Sequence, residues 1–364
     1  MKRKIRVGIV FGGMSGEHEV SINSARSVIE NLDQNKFEIL PIGIDKAGTW
    51  HVGLGAYHAL GAPIPPQLLT DGVHEEQLAE LVPVAQGAVL PMQSVGDIDV
   101  VLPILHGPFG EDGTVQGLFE LLNLPYVGAG VLASAVGMDK AMMKKVFAEE
   151  GLNQARYEVV LRSAFEREPG AVVEQVEASL GYPCFIKPAN LGSSVGISKA
   201  KNREELFDSL RLAAKYDRKL IIEEAVDGRE IEVAVLGNEQ PAASVAGEIV
   251  SSGEEFYDYN AKYIDGDSVM VIPAELTPKQ SDEVRALALK AFQAIDGSGL
   301  SRVDFFLCRQ TGEFLINEIN TFPGFTIFSM YPKLWEVTGL PYDQLLEKLI
   351  ELALERHEDK NRER

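Results

Sequence analysis

Asp304, Glu318 and Asn320 are the side chains whose types and spacing most directly suggest chemistry in this 364-residue sequence. They lie in SRVDFFL (301–307) and FLINEINTFPG (314–324), two apolar runs separated by CRQTGE. A three-residue hairpin loop of Gln310, Thr311 and Gly312, with Gly312 in the left-handed position, sets Asp304 opposite Glu318 and Arg302 opposite Asn320. Strand side chains alternate, so all four project from one face. Directly opposed carboxylates repel each other. A cation between them removes that penalty, and the oxygens of Asp, Glu and Asn suit magnesium, which takes few protein groups and shares its shell with substrate phosphates. Arg302 is then free to face a developing negative charge. The competing explanation is the solvated outer face of an amphipathic hairpin, and other segments must decide between the two.

PCFIKPANLGSSVGISKA supplies Lys187 at a strand end, then Gly192, Ser193, Ser194 and Gly196. Glycines admit close backbone approach, hydroxyls donate, and the lysine adds charge, so the loop can cover phosphates; a plain flexible hairpin is the alternative. No G-x-x-x-x-G-K-[ST] loop occurs, so a nucleotide must be held another way. VGAGVLA (127–133) matches G-x-G-x-x-A, but no acidic residue on a following strand completes a dinucleotide site, and the segment reads as a turn entering a helix. Glu17 in FGGMSGEHEVS stands at a helix start, where it either caps the helix or holds a substrate ammonium. In LHGPFGEDGT, Asp112 caps the next helix and His106 ends a strand where a ligand crevice forms. EFYDYNAKY (255–263) lacks apolar alternation and reads as a loop or lid.

These groups need elements to position them. IRVGIVF, a helical SINSARSVIENL and KFEILPIGI open the chain as a βαβ unit. Residues 48–96 read as an insertion, after which DIDVVLPILHG is a strand, TVQGLFELLN a helix and LPYVG a strand completing a first domain. YEVVL, CFIKP and LIIEEAV supply strands to a central segment. YDQLLEKLIELALERH forms an amphipathic last helix before EDKNRER, which is expected to fray.

The chain is long enough for two or three domains with real cores. Its 54 acidic and 34 basic residues give a formal charge of −20, which disfavours nucleic acid and anionic membrane surfaces as partners. Cys184 and Cys308, the two cysteines, read as buried thiols in a reducing compartment. MKRKIRVGIVFGG is too short and too broken by glycine for a signal or spanning helix, so a cytoplasmic location is expected.

Seven segments in order (FGGMSGEHEVS, LHGPFGEDGTVQG, GMDKAMMK, FIKPANLGSSVG, EFYDYNAKY, SRVDFF and INEINTFPGFT) make nearly the whole chain resemble the D-alanine–D-alanine ligases of the ATP-grasp family. The resemblance implies an α/β and α+β chain. A Rossmann-like N-terminal domain (1–133, with the insertion) precedes the two halves of an ATP-grasp fold, 134–228 and 229–364. It implies that Lys140, Lys187 and Ser194 meet ATP phosphates. Glu223, Glu224 and the Val226 backbone would lie at the adenine, and Glu230 at the ribose. Asp304, Glu318 and Asn320 would ligate two magnesium ions, with manganese an acceptable substitute. A first D-alanine becomes an acylphosphate, which the amine of a second attacks. Glu17 would hold the first ammonium in a triad with Ser193 and Tyr263, near His106. Arg302 and the Gly324 N–H would stabilise the oxyanion, and Lys262, Ser329 and Met330 would receive the second carboxylate. Relatives often carry leucine at the Met330 position, which reshapes that pocket slightly. A Tyr263 in place of phenylalanine favours dipeptide over D-alanyl-D-lactate, and the family is usually dimeric through its first domain. Alternatives are another ATP-grasp carboxylate–amine ligase, or a nucleotide-binding protein without turnover.

Overall fold

The computed structural model describes residues 3–69, 98–192, 195–251 and 268–362. The run IRVGIVFG forms β1 (Ile5–Gly12), whose last six residues are buried, as suits an apolar strand covered on both faces. It lies parallel to β2 (Phe37–Ile44), while β3 (Trp50–Val52) runs antiparallel on the outer edge of β2. β4 (Val100–Ile104) flanks β1 on the other side, also parallel, giving the order β3-β2-β1-β4. Helix His18–Asn31 makes the crossover and buries Ile22, Ala25, Val28 and Ile29.

Two expectations change here. The stretch from residue 48 is not wholly an insertion, because Trp50–Val52 extends the sheet and helix Gly55–Ala59 buries Ala56 and Tyr57. A three-residue strand is too short to show a period. LPYVG is not a strand but an isolated bridge from Tyr126 to Val101. Pro125 has no N–H to give, so only its carbonyl and the Val127 N–H reach Val101, each at 2.8 Å.

The second sheet is antiparallel: β5 (Tyr157–Leu161), β6 (Cys184–Pro188), β7 (Ser198–Ala200) and β8 (Lys219–Glu224) in the order β5-β8-β6-β7. Helices Pro169–Ser179 and Arg203–Ala213 cover it through Val173, Val176, Leu206 and Leu210. The third comprises β9 (Gly228–Gly237), β10 (Ala242–Ser251), β11 (Ser268–Val271), β12 (Gly299–Cys308) and β13 (Phe314–Asn320), ordered β11-β10-β9-β12-β13. Its core also takes Met143 and Phe147 from helix Lys140–Glu149.

The last helix, Tyr342–Lys360, continues three residues into the segment expected to fray. It shares a core with the first sheet and is tied to residues 120–128. Arg356 donates to the carbonyls of Tyr126 (2.9 Å) and Gly128, and Lys360 pairs with Glu120 at 2.5 Å. Cys184 is buried as expected, but Cys308 is half-exposed because it ends β12 at the hairpin loop. Among the described residues no helix is long and apolar enough to cross a membrane.

Candidate active site

The β12–β13 hairpin pairs Arg302 with Asn320 and Asp304 with Glu318, the register read from the sequence, but by a different route. The loop has four residues, not three: Cys308 and Glu313 are joined by a 2.9 Å hydrogen bond, leaving 309–312 as the turn, with Gly312 at φ +72°. A bulge at Asn317, between the Phe305–Ile316 and Asp304–Glu318 pairs, restores the count. It also lets Ile316 and Ile319 both enter the core, three positions apart, while Glu318 and Asn320 face the other way.

Arg302 is not free, as expected from sequence, but engaged. Its Nε and Nη2 each donate to Asp304 at 2.7 Å, and Nε lies 3.1 Å from Glu232. Burial opposes its charge, yet Asp304 and Glu232 outweigh that and hold its pKa well above the usual guanidinium value. Asn320 Nδ2 donates to Asp304 at 2.9 Å. Glu318 is balanced by Lys140, 3.3 Å away, whose Nζ also donates to the Leu191 carbonyl at 3.0 Å. The repulsion between the paired acids is thus met by one basic residue each. Among the described residues no three His, Cys, Asp or Glu side chains are spaced as a metal centre. The available set is two carboxylates and a carboxamide, hard oxygen donors of the kind magnesium takes.

Lys187, on β6, reaches across to β8 and donates to Glu223 at 2.7 Å, and Glu230 lies within its electrostatic reach. Burial pushes the Glu223 carboxyl up, but Lys144 and Lys187 outweigh it and bring it down to about 2. Glu224 is not part of this group. The next residue along a strand faces the other way, and its carboxylate takes the Arg156 backbone N–H at 2.8 Å and Nε at 2.7 Å. Val226 follows β8, half-buried.

Glu17 sits at the N-terminus of helix His18–Asn31 without capping it. Its carboxylate instead lies against the loop after β4: a Cβ added at Gly107, whose φ is +74°, would stand 2.7 Å from Glu17 Oε2. Glu17, His106, Lys140, Arg302, Glu318, Asn320, Gly324, Ser329 and Met330 all line one cavity of about 580 Å³. Ser329 Oγ accepts from the Thr326 N–H at 3.0 Å, close to Gly324. Ser193, Ser194, Lys262, Tyr263 and the segment EFYDYNAKY lie outside the described residues.

Three contributors escaped the sequence reading. Lys144, 1 % exposed, lies 3.3 Å from Glu223, and its position one helical turn after Lys140 was a usable signal. Glu232 stands opposite Asp304 only because β9 pairs with β12, which no local pattern announces. Glu111 lines the cavity from the loop in which Asp112 drew attention as a cap.

Two family models match the chain, the D-ala D-ala ligase N-terminus over residues 6–129 and the D-ala D-ala ligase C-terminus over residues 146–351. The chain belongs to the D-alanine–D-alanine ligase family. The family's architecture is of the ATP-grasp type, and its members typically use ATP with magnesium. A D-alanine–D-alanine ligase of Bacillus cytotoxicus is 52% identical over 360 residues, covering 99% of this chain and 98% of that protein. Among solved structures, the D-alanine-D-alanine ligase from Coxiella burnetii matches with a TM-score of 0.81 at 34% identity, over 99% of this chain and 98% of that one. The VanG D-Ala:D-Ser ligase from Enterococcus faecalis also scores 0.81, at 36% identity, over 96% of this chain and 100% of its own.

Proposed function

We infer that this chain is an enzyme that joins two D-alanine molecules at the expense of ATP, supplying D-alanyl-D-alanine for peptidoglycan precursors. The observation that carries the reading is one cavity lined both by Glu17, an acid able to pair with an ammonium, and by Arg302, Glu318 and Asn320 of the β12–β13 hairpin. Lys140, Lys187, Glu223 and Glu230, with the Val226 backbone, form the nucleotide side of the site. The γ-phosphoryl group passes to a carboxylate oxygen of the first D-alanine as ADP departs, turning a poor electrophile into an acylphosphate. Glu17 holds that substrate's ammonium, beside His106. Arg302 and the Gly324 N–H stabilise the oxyanion when the second amine attacks, donors placed before the charge develops. Ser329 and Met330 bound the second substrate. Asp304, Glu318 and Asn320 would hold two magnesium ions, which neutralise phosphate charge when bound.

We read residues 1–133 as a Rossmann-like substrate domain, supported by the parallel β4-β1-β2 arrangement, and 134–228 and 229–364 as the two ATP-grasp halves. The assembly is a cytoplasmic homodimer in this reading, which light scattering would test. Likeness to a D-Ala:D-Ser ligase makes D-serine the acceptor to try first as a second substrate; the higher identity to D-alanine–D-alanine ligases favours D-alanine. Phosphate release from Mg-ATP should require D-alanine and fail with L-alanine or with no amino acid. Release that ignores the amino acid, or none at all, would remove the assignment.

A further inference from the structure

Two D-alanines bring two ammonium groups into the cavity, yet the reading above assigns an acid to only one. The second must lose a proton before its nitrogen has a lone pair to attack with. Glu111 is a further carboxylate that lines the cavity with Glu17 and His106; Glu19 lines it too, but is 71% exposed and pairs with Lys46 at 3.1 Å. Its Oε2 is fixed by the Gly107 backbone N–H at 2.6 Å, and no hydrogen bond from the described residues engages Oε1. A second observation points to an occupant here. His106, 5 % exposed, lines the same cavity, and its Nε2 has no hydrogen-bond partner among the described residues.

We propose that Glu111 is the catalytic base of the ligation step, taking a proton from the ammonium of the second D-alanine. The proposal rests on the ligase reading above. The amine nitrogen then attacks the acylphosphate carbonyl, a C–N bond forms, and the bond between the carbonyl carbon and the phosphate oxygen breaks with its electron pair leaving on phosphate. Of the two protons the ammonium must shed to become an amide N–H, Glu111 takes one and the departing phosphate the other. His106 Nε2, when Nδ1 carries the proton, offers a lone pair to the same cavity.

The electrostatics agree with the geometry. Burial first, then Glu17 and, more weakly, Glu318 from β13 push the Glu111 carboxyl up to about 8, against the Gly107 N–H and Lys140, which pull it down. That makes it far closer in basicity to an α-ammonium than an ordinary carboxylate is, the condition for efficient proton transfer near neutral pH. Burial, against Glu17 and the Phe322 backbone, pushes the His106 imidazole down and keeps it neutral.

The test compares two nucleophiles on the same acylphosphate. Hydroxylamine is neutral at pH 7 and needs no base to attack. Glu111→Gln should lower D-alanyl-D-alanine turnover by roughly a hundredfold or more, within the range that a positioned base contributes. D-alanyl hydroxamate formation with hydroxylamine should stay within about threefold of the parent, a range well inside that loss. Retained hydroxamate synthesis also shows that the variant is folded and makes acylphosphate. The parent's dipeptide turnover should rise with pH as the Glu111 carboxyl ionises; that limb should vanish in Glu111→Gln and return, displaced, in Glu111→Asp. Parallel loss of both products, or unchanged dipeptide turnover with the limb intact, would overturn the proposal. A parent chain inactive with D-alanine would instead remove the ligase reading itself.

Discussion

Arg302 carries two demands that compete for the same guanidinium. It is held by Asp304 and Glu232, and in the proposed reaction it would turn its donors to an oxyanion. In that reading Asp304 would also hold magnesium, and a metal on its oxygens would loosen the ion pair and release Arg302. Arg302→Ala should lower kcat by about a hundredfold or more, as loss of an oxyanion donor does, while the Kd for ATP changes by only a few-fold. Steady-state kinetics with a separate nucleotide-binding measurement checks this, and equal losses in both would argue against an oxyanion role. At this scale the sequence was informative where chemistry is local. Arg302, Asp304, Glu318 and Asn320 could be grouped from one hairpin. Lys144 required only the helical repeat, whereas Glu232 required knowing which strand lies beside β12.

Elements set how those groups are aimed. The hairpin pairs were correctly read because two one-residue differences cancel, a longer turn and a bulge at Asn317. The clue was present: Ile316 and Ile319 cannot both be buried on one face of an unbroken alternating strand. A similar argument applies to helix Lys140–Glu149, which presents Lys140 and Lys144 one turn apart. Asp139 caps it, accepting from the N–H groups of Ala141 and Met142 at 3.1 Å, and pairs with Lys219 of β8. Asp139→Ala should cost about 1–2 kcal/mol of stability, the upper range for a lost cap, and raise the KM for ATP several-fold by letting the helix start drift. Asp139→Asn keeps a capping oxygen and should recover most of the stability. Thermal denaturation with ATP kinetics separates the two effects, and a stable Asp139→Ala with unchanged KM would contradict the role given to the cap.

The whole molecule assembles its cavity from segments far apart in the chain, and long-range ties keep them in register. Arg356 is the clearest. It reaches from the last helix to Ser298 at 2.7 Å and to the carbonyls of Tyr126 and Gly128, and stacks 4.3 Å over the Tyr126 ring. Arg356→Ala should cost about 2–4 kcal/mol, since charge-assisted bonds to buried carbonyls are lost together, with Arg356→Lys recovering only part; urea unfolding measures it. None of these ties is legible in the sequence, where Arg356 falls in an amphipathic helix and EDKNRER beyond it reads as a frayed end. The central claim is that a D-alanine carboxylate is activated by phosphoryl transfer inside this cavity. D-alanine labelled with ¹⁸O in its carboxylate should pass one labelled oxygen to inorganic phosphate for each dipeptide made, read by mass spectrometry. Dipeptide formed alongside unlabelled phosphate would contradict the account.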